Sequence, residues 1–277
     1  MTVPRPLIRY HGGKWKMAFE IIGYFPPHRV YVEPYGGGGS ILLRKERSYA
    51  EVYNDLDGEI VNLFRIVRDR GDELTQALSL TPFSRDEYQG SFPESDDPLE
   101  QARRTVIRSH MGFGSNALAR GIKSGFRANS NRSGTTPARD WRNLPESIVY
   151  VIDRLRGVVI ENRDALDLMT RHDGAETLHY CDPPYVSHTR SGLMHGFHGY
   201  SHEMTDEDHR AFGAAVRQLQ GMVVISGYGC DLYDRELFHD WLRIPFGAHA
   251  DGARDRVEVL WLNDAAAANS GQARMFA

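Results

Sequence analysis

Short runs of β-branched and aromatic residues recur along the chain, separated by polar stretches with helical spacing. "RVYVEPY" (29–35), "AEVYNDL" (50–56), "GVVIENRD" (157–164), "TLHYCDPPY" (177–185), "MVVISGY" (222–228) and "RVEVLWLN" (256–263) read as strands. "ILLRKE" (41–46), "DGEIVNLFRIVRDR" (57–70), "ALDLMTRH" (165–172), "TDEDHRAFGAAVRQLQG" (205–221) and "DLYDRELFHDW" (231–241) read as helices. In the second of these helices Ile60, Leu63, Phe64 and Val67 share one face, and Asp57 is placed to cap its start. Thr205 is placed to cap the fourth. Strand–helix alternation with glycines at a strand's C-terminal end predicts an α/β fold, a doubly wound and mainly parallel sheet. The pattern lapses between residues 71 and 147, where Pro, Ser, Asn, Gly and Arg accumulate. That stretch is predicted to be an inserted domain, mostly helical or irregular. Residues 1–70 and 148–265 then form the main domain, and residues 266–277 a flexible tail.

The chain has 277 residues, of which 41% are hydrophobic, ample for one large core. Its net charge is −4, so the whole molecule is not a basic coat for nucleic acid, and contact with an acidic polymer needs a local basic patch. Two cysteines, Cys181 and Cys230, form neither a disulfide framework nor a zinc spacing. The first residues lack the apolar run of a signal peptide, and no segment has the length to span a membrane. The expectation is a cytoplasmic protein, monomeric and without an obligate protein partner.

Three strand ends carry candidate chemistry. In "VEPYGGGGS" (32–40), Glu33 ends a buried strand, and Gly36, Gly37, Gly38 and Gly39 remove every Cβ that would keep a ligand from the backbone. A helix starting there would aim further amides at the same spot. Asp55 ends the second strand, where α/β nucleotide-binding folds use a carboxylate to accept ribose hydroxyls. Asp57 reads as a helix cap instead. After the strand 177–181, Asp182, Pro183, Pro184 and Tyr185 form a rigid shelf. The prolines hold the backbone extended and donate no hydrogen bond. A carboxylate, a fixed carbonyl and an aromatic face suit a planar group bearing an NH₂.

In order along the chain, "IRYHGGKWK" (8–16), "VEPYGGGGS" (32–40), "NDLDGEIVNLFRIVR" (54–68), "IENRDALDLM" (160–169), "YCDPPYV" (180–186) and "MVVISGY" (222–228) resemble the Dam-type DNA adenine-N6 methyltransferases. The resemblance implies a Rossmann-like methyltransferase sheet, S-adenosyl-L-methionine as cofactor, double-stranded DNA as partner, a flipped adenine as target, and an inserted target-recognition domain. It implies cofactor-binding roles for Tyr10, Lys14, Glu33, Pro34, Gly36 to Gly39, Asp55, Asp164 and Asp182, and a catalytic role for Asp182 to Tyr185. Tyr10 stands where relatives often carry Trp, and Tyr35 where Phe is common. The middle segment does not match the Dam recognition pattern, so the recognised sequence does not follow. The alternatives are a methyltransferase acting on another planar NH₂ (cytosine N4, RNA adenine, a protein glutamine) and a non-enzymatic DNA-binding module. Asp182 favours the adenine enzyme, because the resemblance associates the others with Asn or Ser at that position.

Between Gln101 and Arg142 lie Arg103, Arg104, Arg108, Arg120, Lys123, Arg127, Arg132, Arg139 and Arg142, against Asp140 as the single acid. This stretch is expected to contact DNA, with Arg120, Lys123 and Arg127 foremost. Cys181, one residue before Asp182, should face the opposite side of the sheet and pack in the core. His188, His195, His198 and His202 crowd a Gly- and Ser-rich loop, which is expected to sit beside the target pocket and not to bind metal.

Overall fold

The computed structural model describes residues 2–114, 118, 124–129, 134–189, 202–248 and 256–271. Its strands are β1 (Val30–Glu33), β2 (Ala50–Asn54), β3 (Val158–Glu161), β4 (Thr177–Cys181), β5 (Met222–Tyr228), β6 (Leu242–Ala248) and β7 (Arg256–Leu262). They form one seven-stranded sheet in the order β3-β2-β1-β4-β5-β7-β6. The first five strands pair in parallel, and β7 runs antiparallel to both β5 and β6. The chain leaves β1 to build β2 and β3 on one side, then returns to place β4 on the other. The strand order therefore reverses between β1 and β4, and a crevice opens at their C-terminal ends.

The helices are α1 (Ala18–Gly23), α2 (Gly58–Leu80), α3 (Arg85–Gly90), α4 (Pro98–Met111), α5 (Pro137–Arg142), α6 (Leu144–Leu155), α7 (Ala165–His172), α8 (Asp206–Val216) and α9 (Asp264–Asn269). They cover both faces of the sheet. On one face α2 buries Ile60, Leu63, Phe64 and Val67, with the Phe64 ring stacked 4.3 Å from that of Tyr53. On the other, Met169 of α7 and Phe212 of α8 pack with Cys181, Val223, Ile225 and Trp261. Asp57 caps α2 by accepting from the Glu59 amide, and Thr205 and Asp208 form a reciprocal capping box on α8.

Two element readings from the sequence change, at residues 41–46 and at β6. "ILLRKE" forms a run of turns: Ile41, Leu42 and Leu43 are all buried, which no one face of a surface helix achieves. The Leu42 amide donates to Glu33, not to the chain four residues back. β6 went unread because Pro245 interrupts it, and as an edge strand it tolerates a residue without an N–H. The boundaries expected at 70/71 and 147/148 fall inside α2 and α6. α2 bends at Arg70 (φ −135°, ψ 32°) but continues. A Cβ on Gly71 would lie 2.4 Å from the Ile152 side chain, so the glycine lets α6 close against α2. Lastly, the tail expected from residue 266 begins within α9, where Asn263 caps the helix and Ala266 is buried. Among the described residues no helix is long and apolar enough to cross a membrane.

Candidate active site

Four adjacent parallel strands each deliver a carboxylate at the C-terminal end. Asp164 follows β3, Asp55 follows β2, Glu33 ends β1 and Asp182 follows β4, and all four line one cavity of about 560 Å³. Tyr10, Lys14, Pro34, Gly36, Gly37, Gly38 and Pro184 also line it. Most of the motif residues, dispersed through the sequence, thus converge at the crevice; Gly39, Pro183 and Tyr185 do not line the cavity, and Tyr185 is buried beside it.

The glycine turn is shaped by the protein's own rings. A Cβ on Gly36 would lie 2.2 Å from the Tyr53 ring, and one on Gly38 2.9 Å from Tyr10 Cβ. Gly37 and Gly39 have φ of 49° and 63°, the left-handed region that favours glycine. Three amides of the turn are used internally: Gly36 N–H donates to Asn54 O, Gly37 N–H to Asp55 Oδ2 and Gly39 N–H to Gly36 O. Since no regular helix follows, the expected fan of ligand-facing amides is replaced by a tight, aromatic-backed wall. Glu33 stands behind it, with Oε2 accepting from Tyr31 Oη at 2.7 Å and Leu42 N at 2.9 Å. Burial pushes its carboxyl up to about 8, against the pull of those two hydrogen bonds.

Asp55 accepts from the Gly37 and Asp57 amides, both at 2.8 Å. Burial raises it to about 6, partly offset by those amides. Asp57 Oδ1 caps α2, and Asp57 lines the cavity too. Asp164 combines both tasks: Oδ1 caps α7 through the Leu166 and Asp167 amides while the residue lines the cavity. The remaining wall includes Leu166, His202, Glu203, Met204 and Phe212, with Tyr35 edge-on to Phe212 at 5.8 Å.

Both oxygens of Asp182 are held. Lys14 Nζ donates to Oδ2 at 2.9 Å and Ser226 Oγ to Oδ1 at 2.8 Å, with Tyr180 Oη 2.8 Å from Ser226 Oγ. Lys14 is 3% exposed and also donates to Gly12 O. Its ammonium lies 4.6 Å from the centroid of the Tyr185 ring, so one residue touches both the acid and the aromatic of the shelf. Ser226 was not singled out from the sequence. The signal was present, since a lone hydroxyl interrupts the apolar run of β5. The β4–β5 register pairs Cys181 with Ile225, so the next step places Asp182 beside Ser226. Ser226→Ala is expected to lower turnover by about tenfold or more, the loss of one hydrogen bond to a charged group. Steady-state rates beside a melting curve check this.

Cys181 packs away from the cavity, its Sγ 3.6 Å from Met169 Sδ, and burial raises its thiol well above the usual range. Among the described residues no cluster of His, Cys, Asp and Glu has metal-ligating geometry. His195 and His198 lie outside the described residues, whereas His202 lines the cavity.

The basic stretch is less available than its composition suggests. Arg103 pairs with Glu87 at 2.8 Å and Glu100 at 2.6 Å, Arg104 with Glu100 at 2.8 Å, and Arg108 with Glu59. The neutralising acids lie outside the 101–142 window, so a charge count within it misses them. Arg127 Nη1 donates to His110 O at 3.1 Å. Arg139 and Arg142 are exposed; Arg120 and Lys123 lie outside the described residues.

The profile described as "D12 class N6 adenine-specific DNA methyltransferase" matches residues 10–251. The DNA adenine methylase of Escherichia coli (strain K12) is 26% identical over 222 residues, 76% of either chain. The DNA adenine methylase of Serratia marcescens is 24% identical over 249 residues, 87% of this chain and 88% of that one. A type II methyltransferase of Lactococcus lactis subsp. cremoris is 25% identical over 260 residues, 86% and 85% of the respective chains. With the family's profile spanning most of the sequence, this chain belongs to the D12 class of N6 adenine-specific DNA methyltransferases.

Proposed function

We propose that the protein transfers a methyl group from S-adenosylmethionine to N6 of an adenine flipped out of duplex DNA, with Asp182 to Tyr185 as the catalytic shelf. The observation that carries this reading is the row of carboxylates at four neighbouring strand ends around one cavity, with Lys14 as the lysine beside them. An acid-rich wall fits a cofactor bearing a sulfonium and an α-amino group. The volume of about 560 Å³ falls within the roughly 300–1,000 Å³ of small-molecule sites.

S-adenosylmethionine bound there supplies an electrophilic methyl group on sulfur. Asp55 would accept its ribose hydroxyls, the glycine turn and Glu33 would bound its methionine end, and Asp164 would stand near its adenine. Each carboxylate oxygen accepts more than one hydrogen bond. Lys14 and Ser226 therefore fix Asp182 and leave it able to accept an N–H of the target amine. The Pro183 carbonyl accepts the second N–H. Together they favour a lone pair localised on N6 and aimed at the methyl group, where positioning supplies much of the acceleration. The N6 proton passes to solvent as or after the nitrogen gains positive charge, so Asp182 serves as an acceptor and not as a strong base. Flipping the base costs a few kcal/mol, and stacking on Tyr185, worth about 1–3 kcal/mol, offsets part of that.

Isothermal titration with S-adenosylmethionine tests the cofactor assignment: saturable binding by the isolated protein is expected, and its absence would overturn it. For DNA, log affinity should fall linearly with log salt, at about −0.9 per phosphate neutralised. Replacing Arg120 or Lys123 with alanine should shallow the slope by about one if that side chain grips a phosphate. Arg104→Ala should leave the slope unchanged, because its guanidinium is spent on Glu100. A salt series on one duplex measures all three.

A further inference from the structure

Glu258 is a buried carboxylate in a strand with little other use for one. It is 3% exposed, and the residues that follow it on β7, Val259, Leu260, Trp261 and Leu262, are fully buried and apolar. A carboxyl group in such surroundings is unfavourable unless it is paired or hydrogen-bonded. The Tyr185 hydroxyl donates to Glu258 Oε2 at 2.9 Å. The β5–β7 register sets Glu258 opposite Tyr228, whose ring meets that of Tyr185 at 4.6 Å and 73°. Tyr185 is therefore gripped at three places. The Lys14 ammonium lies against its ring, Tyr228 abuts the ring edge-on, and Glu258 holds the far end of the phenol.

We propose that Glu258 is a positioning residue for methyl transfer, fixing through the Tyr185 hydroxyl the place of the ring that stacks on the target base. This rests on the reading of Tyr185 as the stacking face. The Tyr185 Oη lies on the Cβ–Cγ axis, so anchoring it on a buried strand stops the swing about the first side-chain torsion, while Tyr228 against the ring limits rotation about the second. The base then meets a surface already oriented, and no ordering of the ring is charged to the flipping step. β7 thereby acts on the catalytic shelf although no residue of it lines the cavity.

Burial raises the Glu258 carboxyl, while Lys14 lowers it and Asp182 raises it further. A rival role follows from that neighbourhood: Glu258 as counter-charge for Lys14. The two roles separate on substitution. Glu258→Gln keeps an acceptor for the Tyr185 hydroxyl and loses the charge; Glu258→Ala loses both. Positioning through Tyr185 also requires that the hydroxyl and the carboxylate act as one unit, which a double-mutant cycle reads directly.

The test measures kcat and S-adenosylmethionine affinity for the wild type, Glu258→Gln, Glu258→Ala, Tyr185→Phe and the Tyr185→Phe/Glu258→Ala pair, on duplex carrying the recognised sequence. A second duplex with 2-aminopurine at the target position reports stacking of the flipped base by fluorescence. Glu258→Ala and Tyr185→Phe should each lower kcat by about 10- to 100-fold, the range of one hydrogen bond to a charged group. Cofactor affinity should stay near wild type, Glu258→Gln should keep most of the rate, and the pair should lose no more than either single variant. The fluorescence of flipped 2-aminopurine should change in Glu258→Ala and not in Glu258→Gln. Losses that multiply in the pair, or Glu258→Gln as poor as Glu258→Ala, would overturn the assignment. If Glu258→Ala fails to fold, Glu258→Met, of similar length and without an acceptor, takes its place in the cycle. A wild type that makes no N6-methyladenine would sink the functional reading and this inference with it; an active wild type with multiplying losses sinks this inference alone.

Discussion

Asp182→Ala should lower methyl transfer by about 10²–10³-fold or more, comparable with removal of a preorganised hydrogen-bonding group from other active sites. The substitution takes away the acceptor for the target amine. It also leaves the Lys14 ammonium, 3% exposed, without its counter-charge. Breaking a buried ion pair from one side costs about 3–5 kcal/mol, so a lower melting temperature should accompany the loss of rate. Asp182→Asn separates the effects. It keeps the shape and an oxygen for Lys14 or Ser226, but turns one acceptor into a donor that faces the N–H groups of the base. It too removes the charge opposite Lys14, so its melting temperature should fall, though less than that of Asp182→Ala, while its rate falls as far. Rates and melting curves for both variants decide the matter, and near-wild-type turnover in either would contradict the assigned role.

Asp55 carries the second large expectation. Burial holds its carboxyl at about 6, so it is an acceptor for ribose hydroxyls above that pH and a neutral acid below it. Affinity for S-adenosylmethionine should therefore rise between about pH 5 and 7 and then level off. Asp55→Asn should weaken binding by about 1.5–3 kcal/mol at neutral pH and flatten that profile. Stability should move the other way. The folded-state value lies above the roughly 3.9 of an unfolded Asp, so the native state holds the extra proton between those values. Its stability falls as pH rises through that window, and Asp55→Asn removes the decline. Asn keeps one of the two oxygens used by the Gly37 and Asp57 amides and faces the other amide with an NH₂, so the variant should also lose that contact at every pH while binding cofactor less well. Unchanged cofactor affinity would reduce Asp55 to a brace for Gly37 and Asp57.

The acids at the strand ends were legible in sequence because each one interrupts or follows a β-rich run, and strand ends are where such sheets place ligands. Glu33, Asp55 and Asp182 needed only that local pattern, whereas Asp164 came from the resemblance to the family. Their supports depend on pairing between distant segments. Ser226 and Glu258 acquire meaning from the register of β5 against β4 and β7, and a strand quoted in isolation hides its neighbour. The same limit affected the basic insertion. Arg103 and Arg108 read as part of a basic stretch until Glu87 of α3 and Glu59 of α2 were set beside them by packing against α4, whereas Glu100, one turn before Arg103 and Arg104 on α4, was already in reach within the sequence. Pro245 concealed β6 for a different reason: proline argues against a central strand and says little against an edge.

The most direct test of the account supplies the purified protein with S-adenosylmethionine labelled in the methyl group and with unmethylated duplex DNA, then digests the DNA and identifies the labelled nucleoside by mass spectrometry. Label in N6-methyl-deoxyadenosine, present with the wild type and lost with Asp182→Asn, is the expected result. Label in N4-methyl-deoxycytidine, or DNA left unlabelled by a folded, cofactor-binding protein, would contradict it.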